Sequence, residues 1–493
     1  MKTILKSTLT PITLAIMLTG CAVGPDYQEP MVDVNQAYLY SNQQTIGGNP
    51  LWWESLDDTT LSEMVNDVQQ QNITIKVAAE RIKMASSYKQ MVDSLKVPTI
   101  SLGGGYFNYQ LSENDSLLGP VFGAQEALGV SLLDSQHDGG FVGASIAWEA
   151  DLFGRLDRQS NAANIRVEQA EIYQNGLYTL ITADVISNYL QLRGAQERKQ
   201  LAQDNIEDQR QTLELVEKVV QSGYGSELDL AQAQAALAAT QSVIPQLEIA
   251  EQVHKHRLAV LLGEPLEKLD VRLSDANGLP QVTGVIPVGM PSELLKRRAD
   301  IRLAEREMAA INEEVAMSIA NRYPKFFLTG APGVTASDFD DLFSSDSFGW
   351  AGSVGVHWNV FDGGRSEALV EMNEARFEAA ALNYQLVVDS AIKEVDTTLF
   401  AYGRSQENQV QIDKAVFAAQ NAVSKAHSLY KAGLIDYLSV LDAQRQERLL
   451  QDRQIAARLQ SAQATVAVQK AIGGNWVVDE AVVQQGVSVA SVN

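Results

Sequence analysis

The chain of 493 residues carries a single cysteine, Cys21, and its setting assigns that thiol a chemistry. Lys2 and Lys6 make a basic start, Ile12 to Leu18 an apolar stretch, and Leu18-Thr19-Gly20-Cys21 closes it with small residues. This order is the pattern of a lipoprotein signal, cleaved before Cys21 with acylation of its sulfur and of the new amino group. A lone cysteine excludes a disulfide framework and any cluster of several thiolates. The histidines offer no substitute. His254 and His256 are two apart on a helix, so their rings point to nearly opposite sides and cannot chelate one ion. No phosphate-binding loop, nucleophile elbow, zincin helix or calcium loop occurs, so no cofactor is expected beyond covalent lipid. Carboxylates remain. Glu227, Asp229 and Asp436 lie near helix starts, where the dipole favours negative charge, and Asp442 follows on the next turns.

The elements that must position these groups are legible from composition and period. Lys+Arg 38 against Asp+Glu 61 gives a net charge of -23, which repels nucleic acid and anionic lipid. No run of about 18 apolar residues is present, so a membrane crossing has to be made by strands. From Arg155 to Ser222 the chain is rich in Ala, Gln, Glu, Leu and Arg, and reads as one very long helix. Arg365 to Ala432 reads the same way, with Ala368, Met372, Ala375, Ala379, Leu382 and Leu386 at the coiled-coil period of about 3.5. At about 1.5 Å per residue each helix is on the order of 100 Å long. Shorter helices, Glu227 to Leu262 and Tyr437 to Ile472, return antiparallel after the Gly223-Tyr224-Gly225 and Gly433-Leu434-Ile435 turns, and Pro245 is expected to kink the first.

Two strands carry alternation. Val142, Ala144, Ile146, Trp148 and Ala150 make one apolar face against Gly143, Ser145, Ala147, Glu149 and Asp151. Trp350, Gly352, Val354, Val356, Trp358 and Val360 repeat it, and weaker alternation near Thr99 to Tyr109 and Lys325 to Val334 supplies two more strands. Apolar-out, polar-in segments of about ten residues are the pattern of a transmembrane barrel. Trp148, Gly154 and Arg155 align with Trp358, Gly364 and Arg365 at an offset of 210, as do Gly223 with Gly433 and Gly263 with Gly473. Upstream, Glu80 matches Glu305 and Pro98 matches Pro324, at offsets of 225 and 226. The chain therefore reads as a tandem duplication. Four strands cannot close a barrel in lipid, where bare edges are not tolerated and about eight strands are the minimum. Copies must assemble, and three copies, about twelve strands, leave an open lumen.

At this point the sequence resembles the TolC-like outer-membrane factors, in the lipoprotein branch of multidrug efflux channels. The motifs are Cys21-Ala22-Val23-Gly24-Pro25-Asp26-Tyr27; Trp52-Trp53 with Leu56-Asp57-Asp58 and Leu61; Ala147 to Gly154; Pro291 to Arg302; and Trp358 to Gly364. Their order and spacing cover nearly the whole mature chain. One departure is Ala299, where the family usually has proline. The resemblance implies a mixed α and β membrane protein, a homotrimer whose 12-stranded β-barrel, four strands per protomer, continues into a long periplasmic α-helical barrel. It implies an efflux duct docked to a periplasmic adaptor (membrane fusion) protein and an inner-membrane transporter of the RND or another class, and set in outer-membrane lipid. Ala22, not aspartate, after Cys21 implies outer-membrane sorting. It further implies a periplasmic gate at the helix turns Gly223 and Gly433, with Asp442, Asp229, Tyr430, Asp436 and Glu227 at positions resembling gate residues. Ser439 stands where a second aspartate often lies, and Ile435 where an arginine latch can lie.

On this reading residues 1–20 are the signal, 21–57 an extended equatorial segment, 58–97 helices of the first repeat, and 98–154 its β-hairpin. Residues 155–263 form the first long helical hairpin, 264–299 a linker, 300–323 a helix of the second repeat, 324–364 the second β-hairpin, 365–473 the second helical hairpin, and 474–493 a tail. The other classes weighed are a duct for protein or metal-ion export, a periplasmic coiled-coil lipoprotein without transport, and a cell-wall hydrolase. The alternating strands argue against the coiled coil. The repeat leaves little sequence outside helices and strands to build a catalytic cleft, so no enzyme is expected.

Overall fold

A computed structural model describes residues 22–32, 34, 37–40, 51–116, 119–130, 134–274, 278–280 and 289–474. The signal segment, Cys21 and the tail beyond residue 474 lie outside the described residues. The fold is mixed α and β. In chain order the elements are α1 (Thr59–Gln71), α2 (Ile73–Asp93), β1 (Thr99–Gln110), α3 (Gly119–Leu128), β2 (Gln136–Ala150), α4 (Arg155–Gln221), α5 (Glu227–Gln241), α6 (Ile244–Leu262), α7 (Leu266–Arg272), α8 (Pro291–Arg297), α9 (Ala299–Ala320), β3 (Lys325–Ala336), β4 (Phe348–His357), α10 (Arg365–Lys431) and α11 (Tyr437–Ala471).

The chain divides into two compact units. The first holds Met1–Glu29, Lys83–Glu168 and Arg306–Ala381, and the second holds Pro30–Ile82, Gln169–Glu305 and Leu382–Asn493. In the first unit the strands form one antiparallel sheet in the order β1-β2-β3-β4. Ile146 faces Ile100, and Val356 faces Phe326, so β4 lies 210 residues beyond β2 in register when β3 lies 226 beyond β1. The same correspondence recurs in side chains: the Trp148 indole N–H donates to the Lys96 carbonyl, and that of Trp358 to the Arg322 carbonyl, each at 2.9 Å. Arg158, buried on α4, joins Glu313 of α9 at 3.2 Å and Asp26 at 2.7 Å. Arg166 pairs with Glu307 and Glu314 on the same helix α9.

The core of the second unit is built on α1. Leu61, Met64, Val65 and Val68 follow the i, i+3, i+4, i+7 rule and are fully buried against Val185, Ile186, Tyr189 and Leu190 of α4 and Leu258 and Leu262 of α6. Burying side chains of this kind stabilises by about 2 kcal/mol each. Asp58 caps α1 through Leu61 N–H at 3.0 Å and accepts the Tyr189 hydroxyl at 2.5 Å. Trp52 and Trp53 enter this core from a short 3-10 turn, Trp52–Leu56.

Two details differ from the sequence reading. The returning helix is not kinked at Pro245 but divided: α5 stops at Gln241, and Pro245 sits in the first turn of α6, where its missing N–H breaks no helical bond. β4 stops at His357, opposite Lys325, because Pro324 precedes β3 and, among the described residues, no strand pairs with the outer side of β4. β2 reaches Ala150, as its alternation has it, since β3 supplies Phe326, Phe327 and Leu328 across from it. Within the hairpin connections, which the sequence reading left unassigned, lie α3, between β1 and β2, and the short turns Phe339–Asp341 and Ser345–Ser347, between β3 and β4.

Candidate functional site

The site is built where the long helices turn, within the second unit. α4 and α10, each 67 residues, both end on a left-handed glycine, Gly223 at φ 80° and Gly433 at φ 71°. A Cβ at either would meet nothing within 4 Å, so glycine is required by backbone conformation rather than by space. Gly223 N–H donates to the Val220 carbonyl and Gly433 N–H to that of Tyr430, both at 2.9 Å. Tyr224 N–H reaches the Val219 carbonyl at 3.1 Å and Leu434 N–H that of Leu429 at 2.9 Å, which satisfies the carbonyls that a helix end leaves open.

The returning helices start with caps. In α5 the Ser226 hydroxyl accepts from Asp229 N–H at 3.1 Å, and the Asp229 carboxylate accepts from Ser226 N–H at 3.2 Å and from its hydroxyl at 2.9 Å. In α11 the roles are exchanged: Asp436 is the cap, taking Ser439 N–H at 3.0 Å and the Ser439 hydroxyl at 2.6 Å. The Ser439 hydroxyl bond holds the Asp436 carboxyl below the ordinary range. Asp229 and Asp436 are thus engaged in closing helix starts, and Glu227 is exposed in the first turn of α5.

An apolar cluster joins the two hairpins here: Val216 of α4, Ala233 of α5, and Tyr437 and Val440 of α11 are buried together. Tyr430 and Ile435 pack on it, with the Tyr430 and Tyr437 rings 6.0 Å apart. Burial, then the charges of Tyr430 and Asp229, pushes the Tyr437 phenol above its usual value.

Asp442 has different surroundings. It lines a cavity of about 850 Å³ between α4, the α5 and α6 pair, and α11, together with Arg198, Arg445, Arg448 and Asp452. Leu201, Leu438, Leu441 and Leu449 supply apolar wall, and Arg198 Nε pairs with Asp452 at 2.6 Å. Burial lowers the Arg448 guanidinium, which weakens its hold on a proton without removing its charge at neutral pH. The wall is amphipathic, with three arginines against two aspartates among mainly apolar residues. The structure therefore brings Asp229, Asp436, Glu227 and Tyr430 to the turns and sets Asp442 in a cavity wall. Sequence reasoning missed the arginines, although Arg445 and Arg448 follow Asp442 on successive turns of α11. Among the described residues no three His, Asp or Glu side chains cluster to hold a metal, and no helix is long and apolar enough to cross a membrane.

Comparisons with known proteins bear on this arrangement. The sequence model of the family described as Outer membrane efflux protein matches residues 64–264 and 290–474. Nodulation protein T of Rhizobium leguminosarum bv. viciae is 26% identical, over 95% of this chain and 93% of that protein. The solvent efflux pump outer membrane protein SrpC of Pseudomonas putida is 29% identical, over 95% of this chain and 98% of its own. Among solved structures, the outer-membrane channel OprN superposes with a TM-score of 0.83 at 31% identity, covering 92% of this chain and all of that one.

Proposed function

The chain belongs to the outer membrane efflux protein family, and from that premise we propose that its working form is a trimer of tandemly repeated protomers, closed as a 12-stranded barrel and continued by the helices as a duct. It is the outer-membrane channel component of a tripartite efflux pump, and the family is one of transport channels rather than enzymes. The observation that carries the reading is a four-stranded sheet with apolar residues bare on one face and, among the described residues, both outer edges unpaired. Leu102, Trp350, Val354 and Val356 are exposed in the single chain, as lipid-facing residues must be. Edges left open in lipid would strand backbone polar groups, and further copies complete the ladder.

The substrates on this reading are drugs and other toxic small amphiphiles, which leave passively. Support comes from SrpC, a solvent efflux protein by name. A periplasmic adaptor and an inner-membrane transporter supply recognition and energy, and lipid on Cys21 adds an anchor. Asp442, a turn further along α11, and the acids at the turns narrow the periplasmic end, with Tyr430 and Ile435 holding the hairpins by apolar contact where other members can use charge. Gly223 and Gly433 allow the tight reversals that bring those groups to one end.

The test is planar-bilayer recording with the purified protein, beside susceptibility to drugs, detergents and bile salts in a deletion strain. A channel that passes current and a strain that becomes sensitive are expected; a monomer that passes none overturns the reading. Asp442→Ala is expected to change conductance and to weaken block by multivalent cations. Unchanged behaviour removes Asp442 from the gate.

A further inference from the structure

The cavity near the helix turns carries charges that the packing of the helices does not account for. Its charged lining is Arg198, Asp442, Arg445, Arg448 and Asp452. Arg198 and Asp452 neutralise each other through two hydrogen bonds, at 2.6 and 3.0 Å. That leaves Arg445 and Arg448 against the one exposed carboxylate of Asp442, a local excess of positive charge in a chain whose net charge is -23.

The two guanidinium groups stand three residues apart on α11 and so share a face. Among the described residues neither forms an ion pair or a hydrogen bond. Other arginines withdrawn from water in this protein behave differently. Arg158 is bonded to Asp26 and Glu313, Arg166 to Glu307 and Glu314, and Arg298 to Asp300 and Glu394. Burial disfavours the charge of each, but these carboxylates outweigh it and raise the guanidinium. At Arg448 burial prevails and lowers it; Glu447 and Asp208 act only from a distance, and the like charge of Arg445 adds to the fall. A desolvated cation is stabilised by a bonded anion. One anion placed between two like charges relieves both.

The rest of the lining selects the kind of anion. Leu201 of α4, Ala235 and Ala239 of α5, and Leu438, Leu441 and Leu449 of α11 make an apolar wall. Leu438 and Leu449 are bare to 43% and 45% in the single chain. An inorganic ion would leave them so, whereas a hydrocarbon body would cover them. The break between α5 and α6 falls at this cavity, since Thr240, Val243 and Gln246 on either side of it belong to the lining. The corresponding stretch of α11 runs unbroken, so the interruption belongs only to the helix pair that faces α11 across the cavity. The volume of about 850 Å³ falls among those of small-molecule sites, about 300 to 1,000 Å³.

We infer that the cavity is a binding site for an amphipathic organic anion, its carboxylate or sulfonate held between Arg445 and Arg448 and its hydrocarbon body laid on the wall of leucine and alanine. Guanidinium forks meet such head groups by two-point contact. All of these residues belong to one protomer and to its second unit, so no neighbouring copy is needed to complete the site. The inference goes beyond a passive bore: the wall holds one charge class of amphiphile, and a bound molecule ties α11 to the α5 and α6 pair.

Isothermal titration of the purified trimer in lipid nanodiscs tests this, with empty nanodiscs as the blank. The probe is 2-naphthalenesulfonate; 2-naphthylmethylammonium carries the same ring with a positive head, and inorganic sulfate is an anion without the ring. Saturable binding of the sulfonate is expected, at least about tenfold tighter than either control. Arg445→Gln and Arg448→Gln are each expected to weaken it at least about tenfold, and Leu441→Asn to weaken it less. Arg210→Gln, which removes an exposed charge elsewhere on α4, leaves it unchanged. Hydrogen exchange places the site: the sulfonate is expected to slow exchange from Ala235 to Val243 and not in the strands. The three probes on the unaltered protein decide the matter even where a variant misfolds. No saturable binding, as when a neighbouring copy fills the cavity, overturns the site. So does equal affinity for the three probes, or an affinity that Arg445→Gln with Arg448→Gln leaves unchanged. Current recorded from the same preparation tests the channel reading separately, so a conducting trimer that binds nothing overturns the site alone.

Discussion

The two halves of the chain place opposite chemistry in the same slot. In the first half Glu251 of α6 is buried and receives Lys199 Nζ at 2.6 Å, Lys255 Nζ at 3.0 Å and Gln196 Nε2 at 3.3 Å. Burial pushes its carboxyl up, but these donors outweigh that and hold it at about 2. Positions 210 further on, Ser461 of α11 is equally buried, and its hydroxyl accepts Gln406 Nε2 at 2.6 Å. Gln406 answers to Gln196, and Thr465, which donates to the Ser461 carbonyl at 3.2 Å, answers to Lys255. What the slot demands is a satisfied hydrogen bond between the long helix and the returning helix; a charge is optional. The charged version has no certain advantage in stability while intact, but it is far more costly to break.

The largest expected effect breaks that comparison directly. Glu251→Ala leaves Lys199 without its carboxylate and is expected to cost about 3 to 5 kcal/mol, whereas Ser461→Ala costs only about 1 kcal/mol. Thermal unfolding of the detergent-solubilised protein measures both, and equal losses would mean the charge is incidental. Acid sharpens the contrast. A folded value near 2 against an ordinary 4.5 means that Glu251 contributes stability that is complete above about pH 4.5 and lost as pH falls toward 2. The loss amounts to about 3 kcal/mol. Hydrogen exchange followed by peptide is expected to rise over α6 across that window while the Ser461 segment of α11 changes less.

Smaller effects probe the caps. Ser226→Ala is expected to cost about 1 kcal/mol and to fray α5. Exchanging the pair, Ser226→Asp with Asp229→Ser, copies the arrangement of Asp436 and Ser439 and should recover most of that loss, read as restored exchange protection of the first turn. If the exchange does not rescue, the two caps are not interchangeable, and Asp229 has a further role. The smallest change is Pro245→Ile, which puts there the residue found at the corresponding position, Ile455. It is expected to slow exchange at Ser242 and Val243 as the break between α5 and α6 heals, with a stability change under about 1 kcal/mol.

Much of this molecule is local and therefore written in the chain. The long helices, their glycine turns and the alternating strands follow from period and from φ at single residues, which depend on neighbours a few positions away. The offset of 210 is a property of the string itself, and the matched strand registers and the paired tryptophan bonds repeat it in space. Tertiary structure alone decided the rest. Nothing near Glu251 in sequence shows that Lys199, 52 residues away, would neutralise it. The three aspartates are alike as letters, yet Asp229 and Asp436 close helix starts at the turns while Asp442 lines a cavity beside three arginines. A carboxylate's role is set by the donors that packing brings to it, and those come from other helices. For the same reason β4 ends where its partner runs out, although its alternation continues to Val360: a strand is a pairing, and only half of any pairing is present in one stretch of chain.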